Sequence, residues 1–219
     1  MHTYATDIDR GRVTIILAIV AIALTFGVNA LVQKWNIQFL WWLDSPSVML
    51  FFGILYKLYD SYLWRLHIRF LDLPTIPDFS GVWAGVLTSS WKDQAGNQTK
   101  IDIVFYIKQT WTEISIRTET KTSTSYTTMA AIYTRSYEPG LRYEYISNPE
   151  VFAIETMHAH PGTGHLQMSP DGKALTGDYY TGRDRVTLGN FVLTFISKEK
   201  LSREEALKRL ASQQMNSGR

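Results

Sequence analysis

Three regimes of hydrophobic patterning divide the chain. Residues 13–32, VTIILAIVAIALTFGVNALV, run apolar without a charge. About 20 such residues cross a hydrocarbon core of ~30 Å as a helix. A cleaved signal would carry a shorter apolar core and a small-residue cleavage site, so the run is read as a retained transmembrane helix. Within it Ala23 and Gly27 form a small-xxx-small pair that lets helices approach. A second run, 48–64, VMLFFGILYKLYDSYLW, is broken by Lys57 and Asp60, which lie on one helix face and can pair. The segment between the runs holds Trp35, Trp41 and Trp42, which suit a membrane interface. Arg10 and Arg12 precede the first run, and Arg65, His67 and Arg69 follow the second. The positive-inside rule then puts both termini in the cytoplasm.

The period changes after "LDLPTIPDF". Pro74 and Pro77 forbid further helix and favour an extended linker, 71–78. Beyond it, eight strands are expected: Gly81–Trp91, Thr99–Lys108, Trp111–Thr118, Thr122–Tyr133, Leu141–Ser147, Thr163–Ser169, Lys173–Tyr180 and Arg185–Ser197. The turn sequences "AGN", "EPG" and "SPDG" separate several of them. Short strands without intervening helices predict a mainly β domain over 79–198, an antiparallel up-and-down β-barrel, with a sandwich as its competitor. Asn148–Pro161 fits a long loop or a ninth strand at Val151–Thr156. The tail, 199–219, predicts a helix opened by a Ser202–Glu205 capping box, with Leu201 stapled onto Ala206, lying on one barrel end or on the wall. Residues 1–70 are then a membrane anchor with two transmembrane helices.

Alternating strand direction places the loops 91–99, 118–122, 147–163 and 180–185 at one end, the mouth, and Trp83 as a plug at the other. Binding loops gather at such ends.

Composition excludes more than it assigns. The 219 residues carry a net charge of only +2, which gives no field for DNA or RNA. No cysteine is present, so disulfides, thiol nucleophiles and cysteine metal sites are ruled out. "HAHPGTGH" gathers His158, His160 and His165, but without carboxylates at ligand spacing it is read as loop histidines rather than a metal site. No catalytic motif appears, so the expectation is a non-enzymatic protein without cofactor or metal. The mouth is richer. Trp91, Arg117, Thr118, Thr120, Thr124, Tyr126, Tyr180, Arg183 and Arg185 map near it and form the candidate ligand-binding set. Arginine forks pair with phosphate, aromatic faces stack on bases, and hydroxyls bond phosphate, ribose and base edges. A lipocalin-like carrier of an apolar ligand and a scaffold for a protein partner are the alternatives.

Two N-terminal apolar helices, a Pro-containing linker, "FSGVWAG" and a late "GDYYTGR" resemble the two-transmembrane, β-strand-rich effectors of bacterial CBASS anti-phage defence. The resemblance implies a minimal eight-stranded barrel that senses a cyclic dinucleotide made by a partner nucleotidyltransferase. It implies ligand-driven homo-oligomerisation, disruption of the inner membrane, and cell death or growth arrest. The implied partners are the cyclic dinucleotide, the lipid bilayer and further copies of the chain. No catalytic residue is implied.

Overall fold

The computed structural model describes residues 1–35, 48–66, 75–92, 96–134, 138–153, 158–182 and 186–217. They fall into two compact units, Met1–Asp7 with Pro77–Arg219, and Ile8–Ile76.

The smaller unit is helical. Helix α1, Gly11–Lys34, is 24 residues long, which gives about 36 Å at ~1.5 Å per residue. Val13, Leu17 and Ala21, spaced four apart on one stripe, are its buried residues, and α1 packs against α2, Val48–Ser61. Helix α2 has 14 residues, about 21 Å, and a 3-10 turn, Leu63–Arg65, follows. Among the described residues, α1 is the one helix long and apolar enough to cross a membrane. The second span expected over 48–64 is thus shorter than expected, and Trp41 and Trp42 lie outside the described residues. Lys57 is exposed while Asp60 is buried, so the expected pair does not share an environment. Ala23 and Gly27 are exposed, with open space where a Cβ on Gly27 would stand.

The larger unit is a barrel. Among the described residues its strands are β1 Gly81–Lys92, β2 Gln98–Gln109, β3 Glu113–Glu119, β4 Ser123–Tyr133, β5 Gly140–Pro149, β6 His160–Met168, β7 Ala174–Thr181 and β8 Leu188–Ser197. Each pairs antiparallel with its neighbours in sequence, and β8 returns to β1, Gly189 opposite Ser89 through Phe195 opposite Trp83. The order is up-and-down, and among the described residues the pairing of β8 with β1 closes the sheet on itself. The segment expected as a loop or ninth strand is a continuation of β5 through Pro149 and a 3-10 turn, Val151–Ala153; residues 154–157 lie outside the described residues.

Period-two alternation fills the interior. Trp83, Phe105, Ile114, Ile116, Leu141, Leu166 and Leu193 are almost completely buried. Trp83 packs edge-on against Phe195 at 5.1 Å, and its indole N–H donates to the Phe79 carbonyl at 2.9 Å. This closes the end where β1 begins. On the outer wall, Val82, Ala84, Val104 and Ile196 are also buried, because helix α3, Arg203–Ser217, covers them with Ala206 and Leu210. Glu205 accepts from the Ser202 backbone N–H (3.0 Å) and hydroxyl (2.8 Å). The capping box therefore forms, and the helix lies on the wall.

One seam is held differently. Strands β3 and β4 share only the pairs Arg117–Tyr126, Thr118–Ser125 and Glu119–Thr124, all toward the mouth. Below them the N-terminal segment fills the gap. His2–Thr3 pair with Glu113–Ile114 of β3, and Ala5–Thr6 pair with Ala131–Ile132 of β4. The Tyr4 hydroxyl donates to the Trp111 carbonyl at 2.9 Å, and Asp7 accepts from the Thr134 N–H and hydroxyl. Residues 1–7, expected to belong to the anchor, thus complete the barrel wall.

Candidate ligand-binding site

The barrel is filled at one end and open at the other. Its mouth holds a cavity of about 120 Å³. Its lining divides into aromatic rings and hydroxyls, with Phe105 on β2 opposite Thr118 on β3 in register. Deepest is an aromatic floor, where Phe105 meets Tyr143 edge-on at 6.3 Å and Phe191 edge-on at 5.2 Å. Tyr179 leans on Phe191 at 5.3 Å and donates its hydroxyl to Ser89 at 2.9 Å. The floor has room because β6 supplies glycines. A Cβ on Gly164 would stand 2.4 Å from the Tyr143 ring, and one on Gly162 equally close to Tyr145. Burial above all, then the neighbouring Tyr145 and Asp178, push the Tyr143 phenol well above its ordinary pKa. It is therefore neutral and keeps its proton.

Above the floor runs a row of hydroxyls. Thr118 on β3 stands opposite Ser125 on β4, and Ser125 opposite Ser147 on β5. All three are buried, line the cavity and have no side-chain hydrogen-bond partner among the described residues. By contrast, Thr181 and Thr187 bond each other at 3.1 Å, and Thr120 bonds Ser123 at 3.0 Å. Those pairs tie off the turns at the rim. His160 follows Ser147 in register, and Trp91 stands at the lip, 62% exposed. Among the described lining residues there is no Lys, Arg, Asp or Glu.

The candidate set divides between the two faces of the wall. Trp91, Thr118 and Thr120 line the cavity. Arg117, Thr124, Tyr126 and Tyr180 lie on the outer face. Arg117 pairs with Glu119 and sits over the Tyr106 and Tyr126 rings, 5.8 Å from each centroid. Thr124 donates to Glu150 at 3.0 Å. Tyr180 is exposed while its neighbour Tyr179 turns inward. Arg183 and Arg185 lie outside the described residues. Ser125, Ser147, Tyr143 and Phe191 were not in the set. Period two could have sorted part of the set itself: Ile114 and Ile116 must face inward, which sends Thr118 in and Arg117 out.

Two family models match this architecture. One, described as "Cap15, cyclic dinucleotide receptor domain", covers residues 74–194, and the other, "Cap15, TM helices", covers residues 11–65. The chain belongs to the Cap15 family. The Cap15 receptor region takes in seven complete barrel strands and most of β8, and with them the whole cavity lining. The Cap15 TM region takes in α1 and α2. Membership in Cap15 makes the protein a CBASS-type, cyclic dinucleotide-sensing membrane effector. No curated protein matches the chain.

Proposed function

We propose that this protein is a bacterial inner-membrane effector of CBASS immunity whose barrel mouth binds a cyclic dinucleotide. Binding promotes assembly of several copies, and their helices disrupt the membrane, killing or arresting the cell. The ligand comes from a partner nucleotidyltransferase. The observation that carries the reading is the mouth cavity, aromatic at its base and hydroxylated above, inside the region matched to a cyclic dinucleotide receptor. Aromatic floors accept base rings, and hydroxyls satisfy base and ribose edges. An apolar ligand would leave Thr118, Ser125 and Ser147 desolvated and unpaired, at a cost per group of about 1–3 kcal/mol. The role is that of a receptor, not an enzyme.

The N-terminal strap supports a multi-pass topology. Residues 2–7 bond β3 and β4, while the rest of the barrel follows α2 in the chain. Segments on both sides of the helical unit therefore share one side of any membrane, and the chain between them crosses it an even number of times. Two crossings by residues 11–65 satisfy this. With Arg10 just before α1, Arg12 in its first turn and Arg65 after α2, that side is the cytoplasm.

The test is dye release from vesicles carrying the full chain, challenged with cyclic di-AMP, cyclic di-GMP and cyclic GMP–AMP. Release triggered by a cyclic dinucleotide, and not by its linear hydrolysis product, is expected. Ligand binding without release would remove the membrane-disruption step.

A further inference from the structure

The cavity is small for the ligand class. Cavities that engulf a whole small-molecule ligand run to roughly 300–1,000 Å³, whereas an apolar cavity of about 150 Å³ holds a single benzene. At about 120 Å³, this one is smaller than either, so two bases, two riboses and two phosphates do not fit, and a single ring enters only because the cavity is open at the mouth, with the outer part of that ring at the rim. Charge gives the same answer independently. A phosphodiester drawn into the cavity would meet no Lys or Arg among the described lining residues, and an unpaired buried charge is strongly disfavoured. The neutral part of the ligand enters and the charged part stays at the rim. The lining fits that division. A ring entering along the axis reaches the faces and edges of Phe105, Tyr143 and Phe191, and its polar edge meets Thr118, Ser125 and Ser147. These hydroxyls are more than nine-tenths buried and unpartnered among the described residues. Each can donate or accept, as a base edge requires.

We infer that the receptor reads one base: a single base of the cyclic dinucleotide inserts into the barrel, its edge held by the Thr118–Ser125–Ser147 row, while the phosphates and the second base remain outside beside Trp91. The inference rests on the cyclic dinucleotide reading above. The outer half of the bound ligand is left at the mouth surface. Specificity is set once, by the inserted base, because the ligand can enter either way round.

Two measurements on the full chain in detergent test this. Dissociation constants are taken for cyclic di-AMP, cyclic di-GMP and cyclic di-UMP, and for the three mixed compounds of the same linkage. One-base reading predicts that each mixed compound binds as well as the better of its two parents, to within about twofold, the statistical factor for two ways of entry. Mixed affinities at the geometric mean of the parents would mean both bases are read and would overturn the inference. So would binding of a mixed compound alone, or equal affinity for all three symmetric ones. If none of the six binds, the cyclic dinucleotide reading itself fails. The second measurement uses Ser147→Ala and Thr118→Val. Each removes an unpartnered hydroxyl, so the ligand-free melting temperature should hold or rise while affinity for the preferred base falls about tenfold. Unchanged affinity in both variants would overturn the role of the row.

Discussion

Arg117 and Tyr126 are register partners across the β3–β4 seam, one residue from the cavity wall and on its opposite face. Their neighbours Thr118 and Ser125 face in. Alanine at Arg117 or Tyr126 removes an exposed cation–π contact and should move stability by no more than about 0.5 kcal/mol. Ligand affinity should be unchanged, as titration calorimetry on the full chain would show. A large loss from Tyr126→Ala would place the ligand on the outer wall.

Trp91 stands at the lip and is mostly exposed. Removing it should leave the melting temperature nearly unchanged. It should weaken binding by roughly 1–3 kcal/mol, the usual worth of a base–aromatic stack. Stability and affinity thus separate at this residue, which thermal melts with and without ligand would reveal.

Gly164 lies under the Tyr143 ring. Its replacement by alanine sets a methyl 2.4 Å from the ring, so the tyrosine must leave its place in the floor. Such overpacking costs about 1–3 kcal/mol, and the displaced ring would block the cavity. Chemical denaturation should show the first effect and loss of ligand binding the second.

The N-terminal strap predicts an effect far from the cavity in sequence. Asp7→Ala deprives the Thr134 N–H and hydroxyl of their acceptor. With hydrogen bonds to charged groups worth about 1.5–3 kcal/mol, and this one only partly buried, a loss of about 1–2 kcal/mol is expected. Faster hydrogen exchange should appear in the strap and in the facing parts of β3 and β4, and not in β7 or β8.

Asp78 predicts an acid response. Burial alone would raise its pKa, but hydrogen bonds from Lys198 and Ser80 and the Lys198 charge outweigh burial and hold it below the ordinary value. A carboxyl whose pKa is lower folded than unfolded adds stability that is complete above about pH 4. That stability is lost as pH falls through the lower, folded value. Asp78→Asn should therefore melt lower than the parent at neutral pH, and the gap should close below that range.

The sequence made the barrel legible because its strands obey period two and its turns are short. β2, β7 and β8 were placed to within a few residues. The capping box at Ser202 was legible for a local reason, since both partners lie within one turn. What escaped was non-local. Nothing in "MHTYATD" announces that it will fill the gap between β3 and β4, since the gap exists only after the barrel closes. The site divided along the same line. In "EISIRTE" the isoleucines fix which face is inner, whereas "STSYTT" is polar on both faces and leaves the direction of Ser125 and Tyr126 open. Tyr179 and Tyr180 sit side by side, and only the packing of Phe191 against Tyr179 settles which one enters.

Ser125 and Tyr126 point in opposite directions, which gives the most direct test of the central claim. The ligand-induced thermal shift of the full chain should be measured for the parent, Ser125→Phe and Tyr126→Ala. At a ligand concentration about 100 times the dissociation constant, binding adds about 2.7 kcal/mol, a shift of a few degrees. A ligand held in the cavity predicts that shift in the parent and in Tyr126→Ala, and none in a folded Ser125→Phe, whose ring fills the space. An intact shift in Ser125→Phe would contradict the account.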